Sequence, residues 1–228
     1  MIIKFEDVGK KFGSNSVALA DVSLEIGGGE FVFVVGPSGA GKSTLLRLLA
    51  REYPATSGRI LIDDLDLGKI ESKNIPKFRR KIGFVFQDFK LLDDRTVFEN
   101  VALALEVREF KEEEIEKEVE RILKLFEIWD KRNLFPSQLS GGEAQRTAIA
   151  RAIIGKPDLL LADEPTGDLD PQTSWAVLQL LNEINSWGTT VIMATHNVEI
   201  VNTLKRRVIS IRGGKVTRDR KEGRYELH

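Results

Sequence analysis

An α/β fold with a mostly parallel central sheet is predicted by three stretches of this sequence. Phe31-Val32-Phe33-Val34-Val35 runs into Gly36-Pro37-Ser38-Gly39-Ala40-Gly41-Lys42-Ser43-Thr44 and then into Leu45-Leu46-Arg47-Leu48-Leu49. That is the strand, glycine loop and helix order that a phosphate cradle requires. Leu159 to Ala162 is wholly apolar, and Thr190 to Thr195 is apolar between its two threonines, as in parallel strands covered on both faces. Between residues 97 and 154 the apolar period turns helical, which predicts helices inserted between the strands.

Taken in order, Ile3, Phe5 and Val8 and then Val22, Leu24 and Ile26 alternate with polar residues, predicting short antiparallel strands at the N-terminus. Arg59 to Asp63 repeats the pattern after Ser57-Gly58 and joins that sheet. Phe12 precedes a turn at Gly13-Ser14-Asn15-Ser16 and is read as half-buried packing or as a platform for a purine. Ile82 to Phe86 is a further strand, ending at Gln87. Ile115, Val119, Ile122, Leu123 and Phe126 recur at spacings of three and four among Lys and Glu, one apolar face of an exposed helix. Gly155-Lys156-Pro157 stops the helical region with a glycine at its end. Asp170-Pro171 pairs an N-cap with a first-turn proline, opening a helix to about Trp187. Val208 to Val216 reads as a hairpin about Gly213-Gly214, and Arg218 to Lys221 as a polar, solvated tail.

The bulk numbers exclude more than they select. Lys+Arg 34 against Asp+Glu 35 leaves a net charge of -1 over 228 residues, so no basic excess argues for nucleic acid. Zero Cys rules out disulfides and thiolate zinc sites and suits a reducing cytosol. The N-terminus lacks a signal peptide's basic and apolar regions, and no apolar run approaches the length that spans a bilayer.

Chemistry is concentrated at three predicted strand ends. In the glycine loop, backbone N–H groups and the helix dipole surround a di- or triphosphate, Lys42 reaches its β/γ-phosphates, and Ser43 offers a hydroxyl to Mg²⁺. Asp163 follows an apolar strand and is placed to hold the ion through its waters; Glu164, next along, is a candidate base for water. His196 ends another strand and Gln87 a third. In open α/β sheets the carboxyl edge is where ligands bind, so distant residues converge there. A second glycine loop, Leu139-Ser140-Gly141-Gly142-Glu143, precedes a helix from about Ala144 to Ile154. A second phosphate-binding terminus in a chain that already has one points to a partner's nucleotide.

Together these motifs resemble those of the ATP-binding subunits of ABC transporters over nearly the whole chain. Gly36 to Thr44 resembles the Walker A motif, Gln87 the Q-loop, Leu139 to Glu143 the signature, and Leu159 to Glu164 the Walker B. Gly167 to Asp170 resembles the D-loop, His196 the switch histidine and Phe12 the adenine-stacking aromatic. Departures are Phe12 where Tyr is commoner, Glu143 where Gln is commoner, and Ala144 where many relatives carry Gln.

The resemblance implies a RecA-like P-loop NTPase core with a small N-terminal antiparallel β subdomain and an inserted α-helical subdomain. Residues 1–88 and 156–228 would form core and β subdomain, and 89–155 the helical signature subdomain. It implies ATP and Mg²⁺ as cofactors, with Glu164, His196 and Lys42 catalytic and Ser43, Gln87 and Asp163 at the metal. Nucleotide-binding residues would be Phe12, Val17, Gly36, Pro37, Ser38, Gly39, Ala40, Gly41, Lys42, Ser43, Thr44 and Gln87. Ser140, Gly141, Gly142 and Glu143 would act on the nucleotide of a second copy, with Asp170 in the D-loop.

Phe86 to Leu92, Arg95 to Val101, Pro171 to Trp175 and Met193 to Asn197 most resemble the cell-division branch of the family. The lipoprotein-release and macrolide-efflux branches share much of this. The partners so implied are a second copy bound through ATP, an integral membrane subunit, and beyond it a cell-wall hydrolase or its activator. The chain itself would be peripheral on the inner face of the membrane. A P-loop kinase or GTPase keeps the cradle but leaves the second glycine loop unexplained. A DNA-repair ATPase needs a long coiled coil between Gln87 and Ser140, where there is no room. A non-hydrolysing nucleotide sensor is separated from the rest by steady-state ATP hydrolysis.

Overall fold

The computed structural model describes residues 1–13, 16–223 and 225. In chain order the first elements are β1 (Ile3–Phe12), β2 (Ser16–Ile26), β3 (Phe31–Val35), α1 (Lys42–Leu49), β4 (Ser57–Ile62), β5 (Leu65–Asp66), α2 (Ile75–Arg79) and β6 (Ile82–Val85). Next come α3 (Val97–Glu106), α4 (Glu112–Leu125), α5 (Gly141–Ile153), β7 (Leu159–Asp163) and α6 (Pro171–Ser186). The chain continues through β8 (Thr190–Thr195), α7 (Val198–Leu204), β9 (Arg207–Arg212) and β10 (Lys215–Arg220).

Two sheets result. The first, in order β2-β1-β4-β5, is antiparallel. The second, in order β10-β9-β3-β8-β7-β6, is parallel from β9 to β6, with β10 antiparallel on one edge. Alternate residues of β3 feed different cores: Phe31, Phe33 and Val35 join Leu123, Ile149 and Leu178, whereas Val32 and Val34 join Leu45, Leu49 and Phe5. A strand with a core on either side has no solvent face, which is why these runs lack polar residues. The helices α3 to α5 share their core with the sheet, because Leu123, Phe126 and Ile149 lie in one cluster with Phe33 and Leu160. Among the described residues no helix is long and apolar enough to cross a membrane.

At the N-terminus a strict two-residue period would put Phe5 and Val8 on opposite faces. A register shift between them, with Asp7 at φ 47°, turns both inward. Ser14 and Asn15 of the expected turn lie outside the described residues, and Ser16 already belongs to β2.

Three local expectations need correction. The second glycine loop opens its helix at Gly141, not near Ala144, because Ser140 and Glu143 close a capping box that starts the helix earlier. At the end of that helix the left-handed residue is Lys156 (φ 50°), not Gly155. Gly155 serves close packing instead: a Cβ there would lie 2.7 Å from the Arg108 guanidinium carbon, and that guanidinium donates to the Gly155 carbonyl. The stretch from Arg218 is exposed as expected but is no tail, since residues up to Arg220 pair with β9 and Asp219 accepts two hydrogen bonds from Arg207, at 2.9 and 2.7 Å. The hairpin about Gly213 and Gly214 is present, both glycines having positive φ, 54° and 78°.

Candidate nucleotide site

Residues from three neighbouring parallel strands meet at one edge of the larger sheet. The glycine loop leaves β3, and its turns demand backbone angles that side chains resist: Gly36, Gly39 and Gly41 have φ of 152°, 74° and 109°. At Gly41 a Cβ would also sit 2.5 Å from the Ala18 carbonyl oxygen, so the loop is pressed against β2. Gly41 is the N-cap of α1; no side chain caps that terminus and its first turn holds no acidic residue. The free N–H groups and the positive end of the helix are therefore left facing the loop.

Lys42 folds back over this loop and is buried. Its ammonium donates to the carbonyls of Gly36 (2.9 Å) and Pro37 (3.3 Å) and lies 3.3 Å from Glu164 Oε1. Ser43 Oγ donates to Asp163 Oδ1 at 2.9 Å, across from the last residue of β7. Burial raises the Asp163 carboxyl above its ordinary value, opposed by the Ser43 hydrogen bond. A hydroxyl and a carboxylate oxygen on one small site are hard-donor chemistry, and they fit Mg²⁺.

Glu164 completes the cluster from a left-handed backbone (φ 48°), a conformation unusual for a residue with a Cβ. Its Oε2 lies 3.0 Å from His196 Nδ1 and accepts the His196 backbone N–H at 3.3 Å. Parallel pairing of Asp163 with Ala194 brings these strand ends level, and the Glu164 N–H donates to the Ala194 carbonyl. The result is a contact chain from Lys42 through Glu164 to His196, side by side with the Ser43–Asp163 pair.

The other sequence-predicted residues are placed around this centre. Pro37, Ser38 and Gly39 form the exposed tip of the loop, and Ala40 is buried beneath it. Thr44 follows in α1. Gln87 is exposed beyond β6, its amide nitrogen 3.7 Å from where a Cβ on Gly167 would stand. Phe12 and Val17 are exposed near the facing ends of β1 and β2. Phe12 meets the ring of Tyr53 edge-on at 5.2 Å, and the Lys10 ammonium lies 4.9 Å from its centroid. Tyr53 carries no signal in the sequence; the return of the chain after α1 puts it beside Phe12, whereas Lys10 stands two residues earlier in β1 itself.

Ser140 to Glu143 are not brought to the glycine loop of the same chain: among the described residues no hydrogen bond or ion pair joins the two. They lie beside the start of α6, where a Cβ on Gly142 would meet the Thr173 methyl at 2.7 Å and one on Gly141 would meet Leu169 at 3.4 Å. Asp170 caps α6, accepting from the Thr173 N–H at 3.0 Å and from its hydroxyl. A groove of 520 Å³ opens by the C-terminal end of α5. Phe84 and Phe86, stacked at 4.2 Å, lie on its floor, and Arg79, Arg80, Lys90, Arg108 and Arg151 line it.

A strand, an uncapped glycine loop with a lysine, two carboxylates at the end of β7 and a histidine just after β8 define a protein that binds and cleaves nucleoside triphosphates. The family model described as ABC transporter matches residues 19–167, and the chain belongs to that family as an ATP hydrolase. It is 54% identical over 224 residues to the cell division ATP-binding protein FtsE of Bacillus subtilis (strain 168), covering 98% of each chain. It is 42% identical over 219 residues to the methionine import ATP-binding protein MetN of Histophilus somni (strain 129Pt), covering 94% of this chain and 64% of the relative. Among solved structures, a dimeric post-hydrolysis state of an ATP-binding cassette bound to ADP and Pi superposes with a TM-score of 0.89 at 38% identity, covering 98% of this chain and all of the other.

Proposed function

We propose that this chain is the ATP-driven subunit of an FtsEX-type complex, in which nucleotide-dependent pairing of two copies works a separate membrane protein. The observation that carries the catalytic part is the contact chain Lys42–Glu164–His196 beside Ser43–Asp163, all at the carboxyl ends of β3, β7 and β8. The loop's own carbonyls and Glu164 occupy the Lys42 ammonium. A triphosphate takes that ammonium for its β/γ-phosphates, and Glu164 loses one of the two groups that hold it. Glu164, still oriented by His196, then accepts the proton of the attacking water. Ser43, Asp163 and Gln87 would hold Mg²⁺, which neutralises phosphate charge. Phe12, braced by Tyr53, and Val17 flank the base.

The division of labour follows from placement. The core with its β sheet, 1–88 and 156–228, carries one nucleotide, and the helical part, 89–155, carries the signature residues Ser140, Gly141, Gly142 and Glu143. Because these stand away from their own glycine loop, they serve the nucleotide of a second copy, with Asp170 at the joint. Closure then depends on a terminal phosphate shared by two chains, and hydrolysis reopens the pair. The groove over Phe84 and Phe86 offers an apolar seat beside Gln87 for the membrane partner. By the likeness to FtsE that partner is FtsX, linked indirectly to a cell-wall hydrolase or its activator, with this chain held at the inner face of the membrane. A lipoprotein-release or macrolide-efflux assembly is the second reading, supported by the motif stretches the branches share.

Glu164→Gln tests the core of this reading. Turnover falls by about 10²–10⁴-fold, MgATP binding is kept, and an ATP-bound dimer accumulates in sedimentation analysis. Near-normal hydrolysis by that variant removes Glu164 from the base role. Copurification from membranes with identification of the integral partner decides between the assemblies.

A further inference from the structure

The glycine loop that opens α5 is occupied by the chain itself. Glu143 turns back on its cap: Oε2 accepts the Ser140 N–H and the Ser140 hydroxyl, both at 2.8 Å, while the Glu143 N–H donates to Ser140 Oγ at 3.3 Å. The other carboxylate oxygen, Oε1, lies 3.4 Å from the ammonium of Lys131, which arrives from the short 3-10 turn Trp129–Lys131. Lys131 also lies 3.5 Å from Asp130.

A second capping box on α3 shows what capping alone needs. Glu99 accepts from the Thr96 N–H at 2.7 Å and from its hydroxyl at 2.8 Å, and returns its own N–H at 3.3 Å. Among the described residues Glu99 has no ion-pair partner, and the nearby Arg95 pairs with Glu106. The helix start is thus complete without a lysine, and the Lys131 contact is additional to it.

We propose that Lys131 is a positioning residue for the nucleotide of a second copy, acting through Glu143. This rests on the reading that Ser140 serves that nucleotide. The Glu143 carboxylate and an incoming terminal phosphate are both anions seeking the same donors, the Ser140 N–H and hydroxyl. Like charges brought together as an interface closes and excludes water repel more strongly than in bulk solvent. Lys131 offers Glu143 an alternative partner 3.4 Å away, at the carboxylate oxygen that Ser140 does not use. When the phosphate arrives, the carboxylate keeps the ammonium and releases Ser140.

The test uses the full chain carrying Glu164→Gln, with ATP-dependent dimerisation measured by sedimentation across a salt series, and MgATP kinetics of the chain with Glu164 intact. Lys131→Met weakens the ATP-bound dimer about two- to fivefold and raises KM with little change in kcat. Its effect shrinks at high salt, and Lys131→Arg restores the dimer. Combined with Glu143→Gln, Lys131→Met has no further effect, because the charge it compensates is gone. Unchanged dimerisation and KM in Lys131→Met, or an equal loss in the Glu143→Gln background, overturns the proposal. Should Glu164→Gln form no ATP-dependent dimer at all, the two-copy reading fails and takes this one with it. A dimer that forms but ignores Lys131 sinks only this inference.

Discussion

The N-termini of α1 and α5 both carry glycines, in the preceding loop at α1 and in the first turn at α5, and they are prepared for anions in opposite ways. At α1 the cap is Gly41, with no side-chain bond and no acidic residue in the first turn, and the Lys42 ammonium folds back onto the loop. At α5 the cap is Ser140, and the anion already present is the carboxylate of Glu143. The first terminus is a cradle that one chain completes alone. The second is satisfied internally, and only a ligand that competes with its own carboxylate can use it. An open cradle offers affinity, whereas a self-capped one offers conditional engagement, as the proposed pairing and separation of two copies would require.

Removing the ammonium attacks that contrast at its strongest point. Lys42→Ala should weaken MgATP binding by about ten- to a hundredfold, the worth of a charge-assisted hydrogen bond or two, as read by calorimetric titration. Unchanged affinity would falsify the cradle. Gly41→Ala comes next: at φ 109° and 2.5 Å from the Ala18 carbonyl, the methyl should cost about 1–3 kcal/mol, visible in thermal unfolding, and distort the loop enough to lower nucleotide affinity.

Ser140→Ala should cost about 1 kcal/mol of stability, or roughly 2–4 °C in melting temperature. It should also depress ATP-dependent dimerisation, while a single chain's affinity for ADP stays as it was. Thr96→Ala sharpens the comparison with the smallest effect, since it loses an equivalent cap and the same roughly 2–4 °C, yet leaves hydrolysis and dimerisation unaltered. If both cap variants reduce dimerisation alike, the α5 terminus has no special part in it.

Acid should erase the caps together. Hydrogen bonds from the backbone N–H and hydroxyl of Ser140 hold the Glu143 carboxyl below its ordinary value, and those of Thr96 do the same for Glu99. A depressed carboxyl contributes stability that is present above the unfolded value of 4.5 and is lost as pH falls through the lower folded value. The stability difference between the parent chain and Ser140→Ala should therefore shrink below about pH 4.5, measured by chemical denaturation.

Much of the site was legible because its chemistry is local. A glycine loop needs its glycines wherever it occurs, and Asp163, Glu164 and His196 follow apolar runs too short and too uniform to be anything but buried strands. The misreadings were local as well. Gly155 looked like a helix stop because glycine usually supplies the left-handed residue, but Lys156 took that conformation and the glycine made room for Arg108, brought in from forty-odd residues away. Arg218 to Arg220 looked like a tail because charged edge strands have no apolar face to announce them; Arg207 and the pairing with β9 make them a strand.

Strand runs, glycine loops and caps are set by residues within a few positions of one another, so their kind and order are determined by the amino-acid sequence itself. Which strand lies beside which, and hence that Lys42, Asp163, Glu164 and His196 share one edge, comes from the order β3-β8-β7. The brace of Tyr53 behind Phe12 and the grip of Lys131 on Glu143 were likewise decided only by the folded chain. Such contacts join residues with no common periodicity, and their energies depend on distance and burial, quantities that exist only once the cores on the two sides of the sheet have closed.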